Sequence, residues 1–204
     1  MKRTTTLLSV LALATIAGCA NVQSTYTLDP TKGNGLVVGT ITYENFGGEY
    51  YVTARRGGDP KTVIRLSVGN PTLLPFAKIF DDDLKMRGDT FAVKAPAGEY
   101  ALGKWYIRKG QASYSSAREL GVSFKVEPGK ATYLGNIHYV GTDSVNLQEM
   151  ARRDLPILQA RFQALRDSPV AFTLAQGTKL EGLGGEATRT TIIPIFIPVP
   201  VAPR

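Results

Sequence analysis

Between Gly35 and Gly141 turn residues cut the chain into short runs rich in Val, Ile, Tyr, Phe and Thr. These are Leu36–Tyr43, Glu49–Arg55, Thr62–Val68, Thr90–Ala95, Glu99–Arg108, Gly121–Val126 and Ala131–Val140. Runs of this length, with β-branched and aromatic residues and no helical period between most of them, are strands, and seven in succession predict a mostly β chain folded as an antiparallel β-sandwich. Alternation marks the inward side. Phe91, Val93 and Ala95 share one face, as do Ile64, Leu66 and Val68, then Val122, Phe124 and Val126, and finally Tyr133, Ile137 and Tyr139. Pro96-Ala97-Gly98 and Glu127-Pro128-Gly129 each set a fixed φ beside a permissive one, the chemistry of a tight turn.

The connection from Gly69 to Gly88 is long for a compact domain, and Pro75–Leu84 is expected to form a short helix within it, with Leu74, Phe76, Ile79, Phe80 and Leu84 packing inward. Asp81, Asp82 and Asp83 read as a solvated acidic loop. A calcium loop would carry a glycine at its sixth position and no cations where ligands belong, whereas Lys85 and Arg87 follow here. After Gly141 the period changes: Leu147, Ala151, Leu155, Leu158, Phe162 and Leu165 line one side of a helix. Asp154 before Leu155-Pro156 suggests an N-cap, hence two helices near Ser144–Arg153 and Leu155–Arg166, covering the sandwich within a segment 142–167. The remainder, 168–204, is a Gly- and Pro-rich apolar tail in which Pro194, Pro198, Pro200 and Pro203 exclude a helix. Two fates fit it: an edge strand on its own sandwich, or an extended segment inserting into another protein, with Ile195, Phe196, Ile197 and Val199 as contacts.

The chemistry is sparse. Among 204 residues there is one Cys and one His, which excludes an intrachain disulfide and a Cys-built metal site. No nucleophile elbow, P-loop, zinc-protease or dinucleotide motif occurs in the chain. His138 falls on the side of its strand opposite Ile137 and reads as a surface or edge residue, while Asp89, Glu99 and Glu119 offer carboxylates without a sequence sign that they converge. The expectation is a non-enzyme with no catalytic residue, metal or cofactor. The formal net charge of +7 comes from scattered cations, which suit lipid headgroups or cell-wall anions better than nucleic acid. Trp105, Tyr106 and Tyr114, with neighbouring arginines, form a candidate glycan platform, Trp105 having core packing as its alternative.

At the N-terminus, Lys2 and Arg3 precede an apolar run from Leu7 to Ala17, too short to span a membrane and shaped like a secretory signal. It ends in Ile16-Ala17-Gly18-Cys19, which resembles the bacterial lipobox. That resemblance implies cleavage between Gly18 and Cys19, removal of 1–18, and acyl chains on Cys19, of a kind that anchor stably when several are joined to one residue. With Ala20 rather than aspartate next, it implies an outer-membrane lipoprotein facing mostly the periplasm. Residues 19–34 then read as the lipidated Cys and a flexible polar tether, and 35–141 as the sandwich domain.

The passage Pro96-Ala97-Gly98-Glu99-Tyr100, followed by Val126-Glu127-Pro128-Gly129 and Tyr133, resembles the transthyretin-like or carboxypeptidase-regulatory-like sandwich and a group of small bacterial lipoproteins of unknown function. The likeness spans roughly Gly35–Gly141 and implies a fold rather than an activity. Together the residues and resemblances lead to a non-catalytic, lipid-anchored envelope protein that binds another envelope protein as an accessory or structural subunit. A lipoprotein binding glycan or another cell-wall ligand is the alternative, and a hydrolase a third reading.

Overall fold

The computed structural model describes residues 21–45, 47–69 and 80–191, without the side chain of Pro60. Among the described residues the chain is mostly β, with two sheets packed face to face and one α-helix. All seven expected strands are present: β1 (Asn34–Tyr43), β2 (Glu49–Arg56), β3 (Asp59–Gly69), β5 (Met86–Pro96), β6 (Gly98–Lys109), β8 (Ser123–Val126) and β9 (Ala131–Val140). Six more join them: β4 (Phe80–Asp81), β7 (Ala112–Ser116), β10 (Ser144–Gln148), β11 (Val170–Phe172), β12 (Lys179–Leu183) and β13 (Ala187–Thr191). The first sheet runs β12-β10-β9-β1-β5-β4, with β11 also pairing β9; the second runs β13-β7-β6-β2-β3, with β8 also pairing β6. Most pairs are antiparallel, but β1 and β11 both run parallel to β9, so the first sheet is mixed.

The inner faces meet in one core containing Tyr50, Val52, Leu66, Phe91, Trp105 and Tyr139. Burying each such side chain contributes on the order of 1.5–3 kcal/mol. A second apolar layer lies on the outer face of the first sheet, where Leu36, Val38, Ala92, Ala131 and Tyr133 meet Leu158, Phe162 and Leu165. Strand β1 is therefore covered on both sides, and every residue from Gly35 to Tyr43 is buried.

A bulge decides which side Tyr133 takes. The register between β1 and β9 shifts where Val38 pairs Tyr133 and Thr40 pairs Asn136, leaving Gly39 opposite two residues. Gly135 adopts φ +108°, and a Cβ there would stand 2.5 Å from the Gln148 carbonyl oxygen; one on Gly39 would stand 2.6 Å from the Gly135 oxygen. The extra residue sends Tyr133 outward under the helix while Ile137 and Tyr139 stay in the core, which corrects the expectation that all three share a face.

The C-terminal half differs from its expected form. Ser144–Gln148 is a strand rather than a helix, with Val145 and Leu147 buried in the sandwich core. The alternation at these two positions competes with the helical spacing that includes Leu147, and pairing with β9 wins. One helix, α1 (Ala151–Arg161), follows, with Pro156 inside it and Asp154 as a buried fourth residue instead of an N-cap. The Asp154 carboxylate is held by the sheet beneath, and Glu149 Oε1 accepts from the Ala151 amide in the capping role. Phe80–Leu84, expected as the end of a helix, is a short strand and turn: Phe80 is exposed, Leu84 buried, and Asp81 Oδ1 accepts from the Asp83 and Leu84 amides at 3.0 and 3.1 Å. Residues 70–79 lie outside the described ones.

Two segments expected to be loose are bonded to the body. In the segment expected as a tether the Val22 amide donates to the Ala92 carbonyl at 2.8 Å, and the Ala92 amide to Asn21 Oδ1 at 3.1 Å, satisfying β5 beyond the reach of β4. Tyr26 and Leu28 pack on the outer layer, and Asp29 caps a single 3₁₀ turn, Pro30–Lys32. Within the expected tail, residues 170–191 supply β11, β12 and β13, because β10, β7 and the Ala131–Tyr133 stretch of β9 that β10 does not reach each leave backbone groups that need partners.

Candidate functional sites

The three residues of the glycan platform do not share a surface. Trp105 is 0% exposed in the core, edge-on to Tyr139, and its Nε1 donates to the Leu183 carbonyl at 3.2 Å. Tyr106, next along β6, points to the opposite, outer face of the second sheet, while Tyr114 packs against the core with Arg189 over its ring. Trp105, Tyr106 and Tyr114 therefore form no common aromatic surface, and Tyr106 has a different ring beside it on the outer face. Tyr106 stacks on Tyr51 of β2, ring centres 4.7 Å apart, and the Arg65 guanidinium lies 3.6 Å over the other face of Tyr51. Glu49 sits between Arg65 and Arg108 in the same patch. Cross-strand register, Tyr51 beside Tyr106, creates this group, and nothing in the linear spacing of the two tyrosines announces it.

Beneath α1 a polar network fills the groove between β1 and β9. Asp154, 0% exposed, accepts from the Tyr133 hydroxyl at 2.7 Å and from Arg153 Nε at 2.7 Å, and its Oδ2 lies 2.9 Å from Thr40 Oγ1. Asn136 Oδ1 is 2.9 Å from Thr40 Oγ1 and 3.0 Å from Thr42 Oγ1, and Thr42 in turn meets His138 Nδ1 at 2.8 Å. Glu44 stands 3.6 Å from His138 Nε2. Burial and the neighbouring Asp154 charge push the Tyr133 phenol above its ordinary range. His138 is half-buried in this network, not free on the surface, since the register that pairs Thr42 with His138 leaves both facing the helix layer. Thr40, Thr42 and Asp154 are buried, so the arrangement docks the helix and presents no accessible nucleophile.

At the other end of α1, Arg161 holds three carboxylates. Its guanidinium donates to both oxygens of Asp81, at 2.8 and 2.9 Å, to Asp83 at 2.7 Å and to Asp89 at 2.9 Å. Burial alone would raise the Asp81 carboxyl, but the Arg161 contacts and the Leu84 amide outweigh it and hold it below the usual range. Two members of the acidic triad are thereby committed to a cation from the protein itself. Asp89 and Glu99 stand on different sheets, and Glu119 pairs with Arg55 at 3.3 Å, so these carboxylates do not converge.

A cleft of about 700 Å³ opens between the start of α1 and the chain after β11. Met150, Ala151, Phe172, Leu174 and Ala175 give it apolar walls, with Arg152 at its rim. Phe172 is 53% exposed and meets Tyr133 edge-on at 6.0 Å. Phe172 and Leu174 fall in the segment read as tail, and only the pairing of β11 to β9 brings them to the helix. Gly18, Cys19, Ile195, Phe196, Ile197 and Val199 lie outside the described residues. Among the described residues no helix is long and apolar enough to cross a membrane.

No family model matches this chain, and no curated protein matches it. Among solved structures it is similar to a leucine-rich repeat protein from Bacteroides thetaiotaomicron, at 19% identity and a TM-score of 0.30, over 53% of this chain and 14% of that one. A likeness that slight and that partial carries no argument about function.

Proposed function

We propose that this chain is a non-catalytic lipoprotein, anchored through acyl chains on Cys19 and acting as an accessory or structural subunit that binds another protein of the bacterial envelope at the outer membrane. One observation carries the partner-binding part. Strand β13 lies at the edge of the second sheet, with Thr188–Thr191 exposed, and runs directly into the apolar, proline-punctuated residues 192–203. An exposed edge followed in sequence by apolar, proline-punctuated residues suits strand addition to a partner or insertion into its groove. The test is photocrosslinking in cells with a probe at Phe196, followed by mass spectrometry, comparing the full chain with one ending at Thr191. That endpoint keeps β13 paired to β7. A specific crosslinked envelope protein, absent with the shortened chain, supports the reading; crosslinks only within the chain itself overturn it.

The stacked Tyr51–Tyr106 pair supports the second reading, binding of an anionic glycan, because aromatic rings suit sugars, and Arg65 and Arg108 share the single Glu49 carboxylate, which leaves the patch net positive. Calorimetric titration with soluble peptidoglycan fragments tests it: saturable heat lost in Tyr106→Ala supports it, and no heat with the unaltered chain overturns it.

A further inference from the structure

We propose that the cleft between α1 and the β11–β12 connection is a binding site for a long-chain carboxylate, a fatty-acid type of amphiphile. Its volume of about 700 Å³ falls in the range of small-molecule pockets, roughly 300–1,000 Å³, which are typically apolar with a few placed polar groups. Phe172 and Leu174 supply the apolar wall on one side, Met150 and Ala151 on the other. The polar groups at the mouth differ in what they have left to offer. Both Glu149 oxygens are occupied, Oε1 by the Ala151 amide at 2.9 Å and Oε2 by the Gly177 amide at 3.1 Å. The Arg153 guanidinium turns inward to Asp154, Thr40 and Met86.

Arg152 is different. It is exposed at the rim and makes no ion pair among the described residues. It also stands in the first turn of α1, at the positive end of an eleven-residue helix. One uncommitted guanidinium beside an apolar trough matches a single negative charge on an apolar body, and a planar carboxylate meets guanidinium in a bidentate fork. Gln176 is the one other polar side chain on these walls, too little hydrogen-bonding capacity to hold a sugar ring. The half-exposed Phe172 ring is the apolar surface such a chain would cover.

The probe is laurate below its micellar concentration, titrated calorimetrically into residues 19–204 carrying Cys19→Ser, which contain every described residue and lack acyl chains of their own. Dodecanol serves as the neutral counterpart, and the methyl resonance of Met150 reports location. The expected result is saturable one-to-one binding of laurate that shifts the Met150 methyl. Arg152→Glu should weaken laurate by about tenfold or more while changing dodecanol little. Phe172→Ala should weaken both. Arg152 is exposed, so an unchanged thermal midpoint in Arg152→Glu separates loss of binding from loss of fold. No saturable binding overturns the proposal, as does binding that Arg152→Glu leaves intact or that leaves the Met150 methyl unmoved. Binding seen only when the chain is shortened to end at Thr191 also overturns it, and assigns the cleft to the protein's own C-terminal residues.

Discussion

The Tyr133 hydroxyl donates to the buried Asp154 carboxylate at 2.7 Å, joining the outer face of the first sheet to the helix that covers it. Tyr133→Phe removes one of the donors to that carboxylate and is expected to cost about 1–3 kcal/mol in urea unfolding. Asp154→Ala leaves Arg153 and the tyrosine hydroxyl without their partner and should cost more, roughly 3–5 kcal/mol. A cost below that of Tyr133→Phe would show that the carboxylate is not what seats the helix.

The same pair sets an alkaline limit. The Tyr133 phenol titrates above its ordinary value in the folded chain because burial and the Asp154 charge oppose its ionisation. A group raised in the folded state contributes stability that is complete below its unfolded pKa, about 10 for tyrosine, and is lost as pH rises beyond it. Unfolding free energy measured from pH 8 to 11 should fall less steeply at the upper end in Tyr133→Phe than in the unaltered chain. Equal slopes would contradict this.

Arg161→Gln tests the opposite end of α1. The Asp81 carboxyl is held below its usual pKa; a group lowered in the folded state contributes stability above its unfolded pKa, near 4, and loses it as pH falls through the folded value. The substitution should therefore cost about 1–3 kcal/mol at pH 7, almost all through the buried Asp81 because Asp83 and Asp89 are solvent-screened. The difference between variant and parent should shrink as the pH drops below about 4. A difference independent of pH would assign the loss to packing of the arginine stem.

Gly135→Ala probes the bulge. With φ at +108° and a backbone oxygen 2.5 Å from the added carbon, alanine forces β9 to shift, at a cost on the order of 1–3 kcal/mol. The Tyr133–Asp154 bond should loosen with it, which proton exchange of the tyrosine hydroxyl would report. Full retention of stability would show that the bulge is not glycine-dependent.

Trp105 is a ready optical reporter because it is the one tryptophan and is fully buried. Its emission should lie to the blue and resist acrylamide, and cell-wall fragments should leave it unchanged even if they bind at Tyr106 on the opposite face of the strand. Trp105→Ala should cost roughly 3–5 kcal/mol through the cavity it leaves. Red, quenchable emission would mean that the ring is outside the core.

The strands of the sandwich are legible because period-two alternation and turn residues are local signals: they bound Ala131–Val140 to the residue and put Phe91, Val93 and Ala95 on the core face. What escaped depends on partners distant in sequence. Ser144–Gln148 carries an alternation too short to outweigh the helical spacing that begins at Leu147, and only the β9 edge decides between them. Ala187–Thr191 is almost wholly polar and becomes a strand because β7 needs a neighbour. The place of Asp154 before Leu155-Pro156 suggests a cap; its burial follows from Tyr133, whose orientation follows in turn from one extra residue in β9. The Tyr51–Tyr106 stack arises from register in the same way, whereas the alternative for Trp105, core packing, was present in the alternation of β6 itself.

Anchoring through Cys19 is tested most directly by the intact mass and N-terminal peptide of the chain recovered from bacterial membranes. The expected result is a mature protein that begins at Cys19, carries the added mass of its acyl chains, and loses that mass and its membrane association in Cys19→Ser. A mature chain that begins elsewhere, or one that remains acylated in Cys19→Ser, would contradict it.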